Sequence, residues 1–243
     1  MVFDPLNPKV VLGIAAHPDD LDFGAGGTMA KFAQAGAAVY YLILTEGGNG
    51  TADRTMTAEK LTQLRQGEQR AAADIIGAKD VFFCDYPDGC LKNTKDARRD
   101  IVKVIRQVKP EVVITWDPSV LYSVQRGFIN HPDHRASGQA ALDAVFPLAR
   151  DYMSFPELIE EGYEPHKTPS VLLMNFNTQN YYVDISDVFE TKMKAIAAHT
   201  SQVKDVTLAR PLLEQFAQDA AGASGMPGIR YAESFVRVDL VDI

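Results

Sequence analysis

Val10-Val11-Leu12-Gly13-Ile14-Ala15-Ala16, running directly into His17-Pro18-Asp19-Asp20, is the stretch on which the fold turns. Its first seven residues are an apolar run of strand length, as expected for a strand covered on both faces. Helix formers follow over residues 24–35, after a glycine-rich turn. The alternation then repeats. Residues 38–44 read as a second strand, rich in Val, Ile and Tyr. Residues 58–76 carry a long helical pattern that stops at Gly77, a residue suited to a left-handed C-terminal cap. Residues 81–84 are a third strand, 96–108 an amphipathic helix ending before Pro110, 112–116 a fourth strand and 133–149 a fourth helix. This order predicts an α/β fold: Rossmann-like and doubly wound, with a mostly parallel sheet and helices on both faces.

The second half is less regular. Residues 171–177 and 181–185 read as strands around a turn, 188–198 and 208–221 as helices, 223–228 as a loop, and 235–241 as a closing strand. Antiparallel pairing among these C-terminal strands fits the pattern. Residues 156–169 read as the most mobile excursion. No repeat, low-complexity tract or long linker divides the chain, so residues 1–243 are read as one domain.

Composition excludes more than it identifies. A hydrophobic fraction of 46% over 243 residues is ordinary for a globular protein and sufficient for a sizeable core. With 24 basic against 32 acidic residues, the net charge of −8 argues against nucleic acid and anionic lipid as partners. No apolar run reaches the roughly 18 residues of a membrane span. Residues 1–9 place an acid and prolines where a secretory signal needs a basic start and an apolar core, so the cytoplasm is the expected location. Cys84 and Cys90 make neither a disulfide framework nor a paired zinc motif.

The five histidines carry more than these totals. His17, Asp19 and Asp20 follow the first strand, and in open α/β sheets ligands bind beyond the carboxyl ends of strands. Pro18 stiffens the turn that presents them. Two adjacent acids repel each other unless a cation or a proton intervenes. A second cluster, Asn130-His131-Pro132-Asp133-His134, follows the fourth strand and opens a helix, with Pro132 suited to its first position. Each cluster alone also fits simple helix capping with solvated imidazoles. Together they sit on the two strands that flank the switch point of a doubly wound sheet. They offer enough imidazole and carboxylate for a catalytic zinc, with an acid and a base to spare. Gly24, Gly26 and Gly27 allow close backbone approach to a substrate or a helix, and lack the spacing of a dinucleotide fingerprint.

These residues resemble the LmbE-like (PIG-L) zinc-dependent de-N-acetylases. Ala16-His17-Pro18-Asp19-Asp20 with Gly26-Gly27-Thr28 is similar to the family's first signature, and His131-Pro132-Asp133-His134 to its second. Thr45-Glu46-Gly47 resembles a Thr-Asp-Gly turn with Glu in place of Asp. Arg65 and Glu68, Tyr86-Pro87-Asp88-Gly89, His199-Thr200-Ser201-Gln202 and Ala232-Glu233-Ser234-Phe235 are similar to further blocks. The resemblance implies His17, Asp20 and His134 as ligands of Zn²⁺, with another divalent metal such as Fe²⁺ as the alternative. It implies Asp19 as general base on water. His131 would stabilise the oxyanion or protonate the leaving amine, and Asp133 would orient His131. Arg65 and Asp88 are candidates for binding sugar hydroxyls, weighed against an Arg65–Glu68 pair one helical turn apart. The implied substrate is a small N-acetylated sugar. The implied assembly is a homo-oligomer, trimers and hexamers among the family's forms.

Two other readings stay open on the residues. One is a metal-dependent hydrolase of another amide or an ester. The other is a non-catalytic sugar-binding module. Of the remaining candidates, His199 reads as a structural anchor and His166 as a solvated loop residue. Trp116 and Asp117 read as pocket wall or core, and Tyr122 and Phe128 as residues at the entrance.

Overall fold

The computed structural model describes residues 5–241. Nine strands and seven α-helices are assigned among them. In chain order they are β1 (Val10–Ala15), α1 (Asp20–Gln34), β2 (Ala38–Thr45), α2 (Ala58–Ile76), β3 (Asp80–Tyr86), α3 (Lys95–Val108), β4 (Val112–Trp116) and the short β5 (Tyr122–Ser123) and β6 (Phe128–Ile129). There follow α4 (Pro132–Asp143), α5 (Pro156–Glu160), β7 (Ser170–Met174), β8 (Tyr181–Asp184), α6 (Phe189–Ala198), α7 (Val206–Ser224) and β9 (Ala232–Asp239).

Seven strands form one sheet in the order β3-β2-β1-β4-β7-β9-β8. The first five positions pair in parallel, and β9 pairs antiparallel with both β7 and β8. The chain leaves β1 toward β2 and β3, then returns to the other side of β1 as β4. The switch point therefore lies between β1 and β4, where the sequence places both histidine clusters.

Alternation along β1 shows why the sheet is buried on both sides. Val11 and Ala15 join the core formed with α1, α2 and α6, while Leu12 and Ile14 join the core formed with α3 and α4. Thr57 and Thr94 cap α2 and α3 by accepting N–H bonds from Lys60 and Ala97, and Gly77 closes α2 at φ 85°.

Several boundaries depart from the expectations. α1 starts at Asp20 rather than residue 24, and Gly24 and Gly27 lie inside it. They serve packing: a Cβ would meet Met174 Sδ at 2.2 Å and Ile185 Cδ1 at 2.8 Å, respectively. α4 ends at Asp143 rather than residue 149, because Pro147 forces Phe146 out of helical geometry, to φ −142°. The strands around residues 171–177 and 181–185 are not neighbours, since β9 inserts between them. α7 extends through Ser224 into the expected loop, and β9 starts at Ala232 rather than residue 235. The segment at 156–169 contains α5, with Leu158 fully buried and Glu157 and Glu161 paired to Arg99. Upstream of it, buried Arg106 donates to the carbonyls of Leu148, Ala149, Asp151 and Ser154.

Candidate active site

The site begins where β1 ends. The Oδ2 atom of Asp20 accepts from Ala16 N at 3.2 Å, His17 N at 2.9 Å and the Trp116 indole at 3.2 Å. Its Oδ1 is left facing His134 Nε2 at 3.0 Å. Burial opposes the charge on Asp20, but His134 and His17 outweigh it and hold the carboxyl well below its ordinary range. The Nδ1 atom of His17 lies 3.6 Å from Asp20 Oδ2.

Each histidine in this group is fixed by its other nitrogen. His17 Nε2 faces Asp88 Oδ1 at 3.1 Å and Asp133 Oδ2 at 3.3 Å. His134 Nδ1 is 3.0 Å from Asn130 Oδ1. The Asn130 amide is oriented by its own Nδ2 bond to Val120 O. With the Asn130 oxygen as acceptor, His134 donates its Nδ1–H there, and its Nε2 is the nitrogen turned toward the Asp20 carboxylate. Trp116 stacks flat on His134, with centroids 4.2 Å apart and planes within 5°.

The donor set suits a divalent cation. His17 Nδ1, the Asp20 carboxylate and His134 Nε2 could together offer the mixed nitrogen and oxygen donors that a three-ligand catalytic zinc site uses. Anchoring of both imidazoles by carboxylate or amide is the arrangement that metal-bound histidines need. His17, His131 and His134 also each offer a ring nitrogen within 4.8 Å of the others. Burial lowers the pKa of His17, but Asp20, Asp133 and Asp88 more than reverse this and push it up to about 12. A concentration of negative charge that favours an imidazolium also favours a cation. The residues fit the ion.

Asp19 sits beside this group in an unusual conformation, at φ 95° and ψ −33°. A non-glycine residue there costs about 1–3 kcal/mol, which surrounding contacts must offset. Arg65 supplies some of them, donating to Pro18 O at 2.7 Å, Gly47 O at 3.0 Å and Asp19 Oδ2 at 3.3 Å. Burial, then the neighbouring Asp20 charge, pushes Asp19 up to about 7. The alternative Arg65–Glu68 pair does not form: Arg65 makes the bonds above, and Glu68 accepts from Thr200 and Ser201. This explains the His199-to-Gln202 block, whose hydroxyls pin α2.

His131 caps α4 by accepting Asp133 N–H on Nδ1 at 3.2 Å. Its proton is therefore on Nε2. Burial, then the nearby His17, lowers its pKa, which keeps the ring neutral. The Asp133 carboxylate does not reach toward His131 but accepts from Gly89 N and Leu91 N and faces His17. Asp88 likewise faces inward, accepting from Asn49 N while it faces His17. All eight sequence-predicted site residues thus fall in one cluster, although Asp88, Asp133 and Arg65 are engaged with protein groups.

Other candidates find structural places. His199 is fully buried against Asp22, at 2.8 Å. His166 is not free in solvent as expected, since its Nε2 meets Pro110 O at 2.8 Å. Asp117 holds Asn175, Tyr122 is exposed, and Phe128 packs edge-on to Phe176. The sequence reading placed Asn130 in the second cluster but gave it no role, which its i,i+4 spacing to His134 could have revealed. It missed Gln69, for which one sequence gives no signal. A cavity of ≈ 550 Å³ elsewhere on the molecule is lined by residues such as Leu6, Phe32 and Tyr181 and contains none of this chemistry.

Fold and site define a class: doubly wound α/β proteins whose switch point holds a His/Asp group suited to a divalent cation, beside a buried carboxylate. Residues 12–145 match PIG-L, described as GlcNAc-PI de-N-acetylase, and the chain belongs to that family of amide-hydrolysing enzymes. It is 37% identical over 232 residues to the diacetylchitobiose deacetylase of Thermococcus kodakarensis, covering 95% of this chain and 84% of the relative. The structure superposes on the N,N'-diacetylchitobiose deacetylase of Pyrococcus horikoshii with a TM-score of 0.87 at 31% identity, covering 98% of this chain and 88% of that one. It also matches the 4-carboxy-2-hydroxymuconate hydratase GalB of Pseudomonas putida KT2440, with a TM-score of 0.79 at 25% identity and coverage of 97% and 98%. Among the described residues no helix is long and apolar enough to cross a membrane.

Proposed function

We propose that this protein is a zinc-dependent hydrolase that removes the N-acetyl group from an N-acetylglucosamine-type sugar or conjugate. The observation that carries this is the convergence of His17, Asp20 and His134 at the switch point, with Asp19 and His131 on the same cluster. The 37% identity to a diacetylchitobiose deacetylase supports the substrate class.

When bound, zinc supplies Lewis acidity, polarising the amide carbonyl and acidifying water. His17, Asp20 and His134 would hold it. Asp19 takes the proton from the attacking water, a task suited to a carboxylate shifted toward neutrality. The neutral His131 ring donates its Nε2–H to the oxygen on which negative charge develops. A neutral imidazole is too weak an acid to protonate the leaving amine. The proton collected by Asp19 is therefore the one delivered to nitrogen as the C–N bond breaks, giving the free amine and acetic acid, which then loses its proton to become acetate. Asp133 and Asp88 keep the His17 ring oriented.

The test is zinc analysis coupled to acetate release from a panel of N-acetylglucosaminides, including diacetylchitobiose. About one zinc per chain and acetate from at least one substrate are expected. Asp19→Ala should retain the metal and lose activity by at least about 100-fold. Zinc-replete protein that releases no acetate from the panel would sink the substrate assignment. The GalB likeness motivates the competing reading, hydration of an unsaturated acid, which would appear as substrate loss without acetate.

A further inference from the structure

We infer that Gln69 is a positioning residue for the reaction: its amide holds the strained turn that carries Asp19, and a buried Asp22–His199–Tyr41 group locks that amide. The inference rests on the role proposed for Asp19 above.

Gln69 lies on α2, fully buried, one turn beyond Arg65. Its Oε1 accepts the Asp19 N–H at 2.8 Å. At φ 95° this amide lies outside helical geometry and needs a partner elsewhere. Arg65 and Gln69, four residues apart on one helix face, therefore grip opposite ends of the same residue, its carboxylate and its N–H.

The orientation of the Gln69 amide is dictated. Its Nε2 donates to Asp22 Oδ2 at 2.9 Å. A flipped amide would set NH₂ against the Asp19 N–H and oxygen against a carboxylate, exchanging two bonds for two repulsions. Asp22 is itself immobilised, taking the Tyr41 hydroxyl on Oδ1 at 2.9 Å and facing His199 Nε2 at 2.8 Å. Asp22, Tyr41 and His199 are all fully buried. The other nitrogen of His199 has no hydrogen-bond partner among the described residues, which leaves Asp22 as the ring's polar anchor. These contacts tie β2, the end of α6 and α1 to the backbone of Asp19. None of them reaches the cation ligands. Their effect falls on the direction of the Asp19 carboxylate, where a misplacement of about 1 Å can cost 100-fold in rate.

The experiment compares zinc-loaded wild type, Gln69→Met and Tyr41→Phe by steady-state acetate release, zinc content and thermal melting. Methionine keeps the shape of the side chain and removes the acceptor. Gln69→Met should lose about 10–100-fold in kcat, with KM within about twofold and zinc content unchanged. Tyr41→Phe should lose about threefold in kcat, and the double variant should lose no more than Gln69→Met alone, because both act through one amide. A Gln69→Met enzyme that melts lower but keeps kcat within about twofold would overturn the inference, as would full additivity. If Gln69→Met fails to fold, Tyr41→Phe decides, and an unchanged kcat overturns the inference. Wild type without acetate release would sink the deacetylation reading and this inference with it. Active wild type with an unimpaired Gln69→Met would sink this inference alone.

Discussion

Asp19 is held by its neighbours in a backbone conformation that a side chain disfavours, and its burial opposes the carboxylate charge. Its backbone is at φ 95°, and burial with the Asp20 charge pushes its carboxyl up to about 7. A raised folded-state pKa means that stability present below the unfolded value of about 4 is lost as pH rises through 7. Asp19→Asn keeps the shape and removes the ionisation. In zinc-free protein it should match wild type in urea at pH 4 and exceed it at pH 8, and in the zinc-loaded enzyme it should lower activity at least about 100-fold. A variant less stable than wild type at pH 8 would show that ionised Asp19 is not disfavoured by the fold. Zinc should narrow the difference, since a nearby cation favours the carboxylate. At this scale the sequence was readable where partners lie close in the chain. His17 with Asp20 and His131 with His134 are three residues apart, and their clusters follow the adjacent strands β1 and β4. The Gln69 contact with Asp19 spans 50 residues and the His199 contact with Asp22 spans 177, so only the fold brings them together.

At the scale of elements, the approach of α4 to β4 sets the distance between the two histidine clusters. Gly138 makes that approach possible, because a Cβ there would meet the Trp116 carbonyl oxygen at 2.2 Å. Trp116 also stacks on His134, so displacing α4 would carry His131 and His134 away from Asp20. Gly138→Ala should destabilise by about 1–3 kcal/mol through overpacking and weaken zinc binding by at least about tenfold in chelator competition. Gly67→Ala is the control. It lies within α2 with nothing within 4 Å of its would-be Cβ, so alanine should stabilise by about 1 kcal/mol. The same sign for both substitutions would refute the packing account. Both glycines look alike in the sequence. The alternation of strands and helices was legible because hydrophobic period reports it directly. The true start of α1 was not, since Gly24, Gly26 and Gly27 imitate a turn while serving contacts with distant residues.

At the scale of the molecule, the C-terminal third supports a site whose candidate residues all lie in the first 134 positions. Glu233 on β9 accepts the N–H groups of Gly27 and Thr28 in α1 and pairs with Lys192 of α6 at 2.5 Å. Lys192 also donates to Phe23 O, so one buried ion pair joins β9, α6 and the helix that begins at Asp20. The Ala232-to-Phe235 block was visible in the sequence without a partner, because β9 enters between two strands that are closer together in the chain. Both charges are almost fully shielded from water. Breaking one side of such a pair strands the other, at about 3–5 kcal/mol. Lys192→Met should therefore lower the unfolding free energy by that amount, read as a lower urea midpoint at unchanged m. Lys192→Met with Glu233→Gln should cost less than the sum of the single changes, because the neutral amide needs no cation and can still accept one α1 amide. Additive losses would mean that the two side chains act independently, and that β9 is held to α1 by apolar packing rather than by this pair.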